Sequence, residues 1–216
     1  MEKETKKRRI CIILGIVIAA VLTTCLSWWR MDLVKAEEIK LQEGIAEEVF
    51  RFHVLAQSDS EEDQNVKLKV RDAVLAYMKT DLGDAASAGE TKSWARAHLT
   101  DIEETADRVL GEAGCDYRSK AEVTTCYFPE KRYGDVIFPE GEYEALRICL
   151  GQAQGHNWWC VLYPNLCFID TACAVVSEEG KEELKTVLDE EEYELVTATA
   201  DFKIKWFFFG DDTKDK

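Results

Sequence analysis

The chain has little of what makes flexible or fibrous sequences. Of 216 residues only 12 are Gly and 3 are Pro, against 46% hydrophobic residues. That balance excludes a disordered or collagen-like chain. Cations are also scarce, with 27 Lys plus Arg against 42 Asp plus Glu and a net charge of −15. Binding to a phosphate backbone needs clustered Lys and Arg, so nucleic acid is excluded as a partner. The sequence has three His and no nucleotide-binding fingerprint, GxSxG, HExxH or EF-hand pattern. The usual signatures of nucleotide, hydrolase, zinc-peptidase and calcium sites are therefore missing. There is no internal repeat. The length suits one domain with appendages.

What is present begins at the N-terminus. Residues 1–9 carry Lys3, Lys6, Lys7, Arg8 and Arg9 against Glu2 and Glu4, a local charge of +3. The twenty residues Ile10 to Trp29 carry no charge. As a helix this run is about 30 Å long, one hydrocarbon thickness. The basic flank stays cytoplasmic, which sends everything after Trp29 outside. Removing the +3 of the flank from the total of −15 leaves −18 for residues 30–216. Two fates fit the segment. A retained anchor agrees with its length and with the interfacial pair Trp28-Trp29. A cleaved signal agrees with the basic start and with the small-residue site Val34-Lys35-Ala36.

Residues 30–48 are charged and loosely patterned and predict a partly helical linker. An exported domain is expected over 49–176. An acidic helical segment with an apolar tail, Phe202 to Phe209, follows over 177–216. Phe50 to Leu55 alternates as a strand does. Ser58, with Glu61 three residues on, has the form of a capping box. The next helix sets Val66, Val70, Ala73, Val74 and Tyr77 on one stripe. A second helix is expected over about 90–110, with Trp94, Ile102, Ala106, Val109 and Leu110 inward. The period then changes to two over Ala121 to Tyr127 and again over Tyr143 to Leu150 and Trp158 to Tyr163. The last two strands, joined by Gly151 to Gly155, read as a hairpin. The fold class is α+β, a mostly antiparallel sheet with two or three helices packed on it, preceded by a transmembrane or signal helix.

Six of the eight Cys lie outside the membrane segment: Cys115, Cys126, Cys149, Cys160, Cys167 and Cys173. In an exported domain the pair Cys160 and Cys167, closing a small loop, reads as a disulfide. Two buried thiols are the alternative. A zinc set of His156, Cys160, Cys167 and Cys173 has the right ligand types but lacks CxxC spacing and ranks well below the disulfide. No metal or cofactor is expected. A Cys nucleophile would need a His beside it. His53 in a strand and His98 on a helix read as structural, and His156 is four residues from Cys160. Trp158 and Trp159 point to opposite faces of one strand, so one ring is left over for an interface or for a covering element such as Trp206 to Phe209.

Two stretches carry a resemblance. One is Phe52-His53-Val54-Leu55-Ala56-Gln57-Ser58-Asp59-Ser60 with Lys67-Leu68-Lys69-Val70-Arg71-Asp72. The other is Gly141-Glu142-Tyr143-Glu144-Ala145-Leu146-Arg147 with Asn157-Trp158-Trp159-Cys160 and Leu166-Cys167-Phe168. They resemble the stage II sporulation protein R family of endospore-forming bacteria over about Phe50 to Val74 and Phe128 to Asp170. Departures are mild: Gln57 for the family's frequent Asn, Glu140 for Ala, Asn165 for Pro. The resemblance implies a protein made in the forespore and exported into the space between the forespore and mother-cell membranes. There it would be needed to activate the membrane-embedded aspartic protease, the sigma-E factor processing peptidase, that trims pro-sigma-E. It would act as a ligand with no peptidase chemistry of its own, favouring the protease's active state. The expected interaction residues are Trp158, Trp159, Tyr163, Pro164, Ser58, Asp59, Ser60, Tyr143 and Arg147. The rival reading is an exported wall hydrolase or Cys/His peptidase.

Overall fold

The computed structural model of the chain describes residues 2–82, 87–164, 166–167, 176 and 178–197. Cys173 and the apolar tail lie outside the described residues. Helix α1 spans Glu2–Glu48, 47 residues without a break. Its apolar stretch is unburied and is long and apolar enough to cross a membrane. Thr23 and Thr24 turn their hydroxyls onto carbonyls one turn back, at 2.9–3.0 Å, so neither hydroxyl is left unpaired in the apolar stretch. The linker expected over 30–48 is helical throughout. Its last turns belong to the folded domain: Ile45 and Val49 are fully buried. Gln42 Nε2 donates to the Glu142 carbonyl at 3.3 Å.

The domain is built on a four-stranded mixed sheet in the order β2-β5-β1-β6. The strands are β1 Phe50–Leu55, β2 Ser119–Phe128, β5 Gly141–Leu150 and β6 Asn157–Tyr163. β3 Lys131–Tyr133 and β4 Val136–Phe138 form a separate antiparallel ribbon. β1 runs parallel to β5 and antiparallel to β6. The expected β5–β6 hairpin is therefore corrected: β1 lies between the two strands. Phe50 pairs with Tyr163 and Arg51 with Val161. Leu162 is skipped as a bulge, and Leu162 and Tyr163 both turn to one face.

Helices α2 Glu61–Asp81, α3 Ala88–Ala97 and α4 Leu99–Glu112 cover the first face. There Phe50, Phe52 and Val54 meet Val66, Val70, Val74, Met78, Ile102 and Leu110. Each such large side chain contributes about 1.5–3 kcal/mol by leaving water. The stripe on α2 holds, and Leu75 and Met78 extend it. Its cap is shifted by two residues from the expected Ser58. Ser60 accepts from the Asp63 N–H at 3.1 Å, while the Ser58 hydroxyl bonds the Asp63 carboxylate. The single helix expected over 90–110 is two. The break is at His98, whose ring stacks on Trp94 at 4.4 Å and whose Nδ1 lies 2.9 Å from the Trp94 carbonyl.

The second face carries a core of its own. It is made by the end of α1, the β3–β4 ribbon, α5 Glu178–Val187 and α6 Glu190–Thr197. Ile45, Val49, Phe128, Phe138, Tyr143, Val161, Leu184, Leu188 and Val196 fill it. Lys181 pairs with Asp135 at 2.6 Å and pins α5 to the ribbon. Asp189 and Glu192 cap α6 reciprocally, at 2.8 and 3.0 Å.

Loop 151–156 is docked on the turn after β1. Gly155 donates to the Ala56 carbonyl at 3.0 Å and Gln154 to that of Gln57 at 3.2 Å. A Cβ at Gly155 would fall 2.1 Å from the Ser58 carbonyl oxygen, so only glycine allows this approach. Gly155→Ala should destabilise the domain by roughly 1–3 kcal/mol. The measurement is urea unfolding, and an unchanged midpoint would show that the two loops are not locked.

Candidate functional site

Two polar constellations flank the core. The first is the seam between Gln57–Ser60 and Gly151–His156. The His156 backbone N–H and ring Nδ1 reach Asp59 Oδ1 at 2.6 and 2.5 Å. Those hydrogen bonds hold the Asp59 carboxyl below the usual range. Gln57 accepts from the Gln152 N–H at 2.5 Å, a reach that the longer amide supplies. Asp63 takes the Ser58 hydroxyl and, at 2.7 Å, the Tyr117 hydroxyl, and it too is held low. Beneath the seam Lys67 is buried and donates to the His156 carbonyl at 2.9 Å. Burial moves its ammonium below the ordinary value. The result is a rigid polar rim with Asp59 and His156 facing outward.

The second constellation crosses the sheet's second face. Opposed residues in neighbouring strands share a face. The registers therefore place Glu122, Arg147, His53 and Trp159 in one row and Thr124, Ala145, Arg51 and Val161 in the next. Arg147 pairs with Glu122. Arg51 is 0% exposed. Its Nε and Nη2 donate to the Cys160 carbonyl and the Tyr133 hydroxyl, both at 3.3 Å, and its Nη1 is buried without a partner. Four rings surround the guanidinium: Phe128 at 4.4 Å, Tyr143 at 4.8 Å, Phe138 at 5.2 Å and Tyr133 at 5.9 Å. A buried cation is costly unless something answers its charge. Among the described residues the answer is ring quadrupoles and not a carboxylate.

His53 lies beside this cage, 3% exposed. It stacks on Trp159 at 4.8 Å, its Nε2 is 3.5 Å from Cys126 Sγ, and its Nδ1 has no partner. It is enclosed, with one ring nitrogen unsatisfied. Burial first, then Arg147 and Arg51, lower its pKa from 6.5 to about 3. Burial pushes the Cys126 thiol up.

The nine expected interaction residues do not converge. Ser58, Asp59 and Ser60 are on the seam. Tyr163 and Pro164 are buried at the opposite end of β6, where the peptide bond between them is cis. Tyr143 is fully buried and donates to the Pro139 carbonyl at 2.9 Å. Arg147 and Trp159 share the second face. Trp158 is on the first, against Phe52 at 5.8 Å with the Arg71 guanidinium 4.8 Å above its ring. Neither Trp is left over, because both faces are covered and each ring is half-buried in a different core. The described residues thus account for both rings, while any cover from Trp206 to Phe209 lies outside them. Cys160 and Cys167 lie side by side, and the Cys167 thiol is pushed up by burial and then by Cys160. Among the described residues no cluster of three His, Cys, Asp or Glu could hold a metal.

The profile of the family described as Stage II sporulation protein R matches residues 46–173. The chain belongs to the stage II sporulation protein R family. A curated relative from Bacillus subtilis (strain 168), named Stage II sporulation protein R, is 35% identical over 192 residues. That alignment covers 86% of this chain and 85% of the relative. No solved structure matches. The family places the chain in sporulation. The matched span runs from the last three residues of α1 through the sheet and holds both constellations. Arg51 was not singled out from the sequence. The available signal was a charged residue inside a strand that turned out to be covered on both faces.

The His53 environment makes stability depend on pH. Its folded-state pKa of about 3 lies below the ordinary 6.5, so the unfolded chain takes the proton first as pH falls. The stability it contributes is whole above 6.5 and is lost on the way down to about 3, by up to about 1.4 kcal/mol per pH unit. Asp59 and Asp63 add a loss of the same sign, but only near pH 4 and below. Glu192, raised by burial, acts the other way. Denaturation curves of the wild type and His53→Phe should diverge from pH 6.5 to about 4.5, the wild type losing more. Parallel curves would rule the imidazole out.

Proposed function

We propose that this chain is the exported forespore ligand that switches on the mother-cell membrane aspartic protease responsible for pro-sigma-E processing, and that it performs no catalysis itself. Family membership over residues 46–173 carries the reading. The apolar helix with its basic flank supports export to the space between the two membranes, either anchored or with the helix removed. The chemistry of the Cys126–His53 contact speaks against that pair as the centre of a Cys/His peptidase. A working pair needs a thiolate beside an accessible base, whereas burial here raises the thiol and keeps the imidazole neutral and enclosed.

The surface best suited to be read by the protease is the seam. It is polar, outward-facing and held by hydrogen bonds on both sides, so little freedom is lost on docking. The test is pro-sigma-E cleavage in a deletion strain complemented with variants. Asp59→Ala should leave the protein folded and exported but cut processing severalfold. Cys126→Ser should leave processing unchanged. Loss of processing with Cys126→Ser in a folded, exported protein would favour the enzyme reading.

The pairing of Cys160 with Cys167 belongs to the same proposal, since the exported side is oxidising and the two residues are adjacent. Unreduced peptide mass spectrometry of the exported protein should find them linked. Removing both should cost about 2–4 kcal/mol. Two alkylatable thiols in that sample would end the idea.

A further inference from the structure

Two strands, β6 and β2, form the edges of the sheet. β6 is buried from Cys160 to Tyr163. β2 is open over part of its length, and both ends of the open part are marked. In an antiparallel ladder the N–H and C=O of one residue point to the same side, and alternate residues face opposite neighbours. The Arg118 carbonyl accepts from the Gly151 N–H at 2.9 Å, on the β5 side. The N–H groups of Ser119 and Ala121 leave the sheet instead and reach Asp107 Oδ1 and Glu103 Oε1 of α4, both at 2.7 Å. The odd residues of β2 therefore face outward. Those after Ala121 are Val123, Thr125 and Tyr127, and among the described residues no strand pairs with them on that side. The Thr125 carbonyl takes one long contact, from Thr124 Oγ1 at 3.5 Å, and keeps a lone pair free. The next odd position is Pro129, which has no N–H. Between the α4 carboxylates and this proline stand Val123-Thr124-Thr125-Cys126-Tyr127, uncharged and mostly β-branched or aromatic. Thr125 is exposed and Tyr127 is 53% exposed. Edge strands are ordinarily blunted by Lys, Pro or a bulge, and these five residues carry none of them.

We propose that this edge pairs with the same edge of a second copy of the chain, antiparallel, about a two-fold axis at Thr125, so that two four-stranded sheets become one. The end stops fix the register. With Thr125 opposite Thr125, Val123 stands opposite Tyr127, and each opposed pair exchanges two hydrogen bonds. Every free outward N–H finds a carbonyl. One step further out, Ala121, whose N–H is taken within its own chain, stands opposite Pro129, which has none to give. A register moved by two residues either way meets Glu103 or Pro129 and loses a donor. The side chains agree with this pairing. The exposed Tyr127 ring lies against Val123 of the other copy, an aromatic and β-branched cross-strand pair. Glu122 is already answered by Arg147 in its own chain. Lys120 and Glu130 are exposed and equally far from Thr125 on opposite sides, so each faces the opposite charge in the other copy. A peptide from another protein could take the same hydrogen bonds, but only self-pairing matches both stops by symmetry. A contact this short belongs to the weak, reversible class, and the pair it forms carries two seams.

The test is sedimentation velocity of the full chain in density-matched detergent over a concentration series, with amide exchange measured on the same samples. The dimer fraction should rise with concentration. The Val123, Thr125 and Tyr127 amides should slow by about tenfold or more as it fills, while Ser119 and Ala121, held by α4 throughout, stay constant. Thr125→Pro removes only an outward donor, and Thr125→Lys adds a charge at the axis. Both should leave the far-UV spectrum unchanged and abolish the dimer. If either variant fails to fold, the exchange series on the natural chain decides. A dimer that survives in a folded variant would overturn the proposal in favour of another surface. Slow exchange of the three amides in a monomer at every concentration would overturn it in favour of a segment of the same chain on this edge. A monomer whose three amides exchange freely at every concentration would overturn it outright.

Discussion

The guanidinium of Arg51 is fully buried with no carboxylate paired to it among the described residues, and the second core is organised around that fact. The charge is answered by four ring faces, a backbone carbonyl and a phenol. Those rings come from β2, β3, β4 and β5, and the carbonyl from β6. Five strands must therefore be in place before the cation is accommodated. Removing only the charge and keeping the volume can be neutral or better in such a site, whereas removing a surrounding ring leaves the cation exposed to a low dielectric. The rings are thus less free to change than their hydrophobicity alone suggests.

The same strand explains the two-sided architecture. β1 pairs with β5 and with β6 although about 90 to 110 residues separate them in the chain. Its even residues face the helices and its odd residues face the aromatic cage. The strand therefore gains most of its burial only when the C-terminal half has folded, a topology rich in long-range contacts. One end of β1 continues α1 and the other opens into the seam. The apolar helix and the proposed recognition surface are thus joined through six residues of central strand.

Much of the layout was legible in the residues. The uncharged run, the α2 stripe, the change of period after Gly114 and the strands over 119–128, 141–150 and 157–163 are local patterns. What misled was also local. Ser58, Asp59 and Ser60 can each cap a helix, and docking of loop 151–156 decides among them by engaging Asp59 with His156. His98 breaks a helix without Gly or Pro because its ring stacks on Trp94. The alternation in Phe50 to Leu55 signals a strand correctly. It suggests a watery polar face, and the reverse holds: Arg51 and His53 are among the most buried polar residues in the domain.

Composition and order by themselves determined that the chain has a helix long and apolar enough to cross a membrane, that an acidic α+β domain follows it, and that it belongs with a sporulation family. Those properties follow from hydropathy, charge and motif, which are carried along the chain. Only the tertiary structure decided that β1 separates β5 from β6, that Trp158 and Trp159 serve different cores, and that Asp59 and His156 form one rim. Each of these depends on which distant residues meet across the sheet. Spacing along the chain holds no record of that choice, which is made by burying both faces of β1 at once.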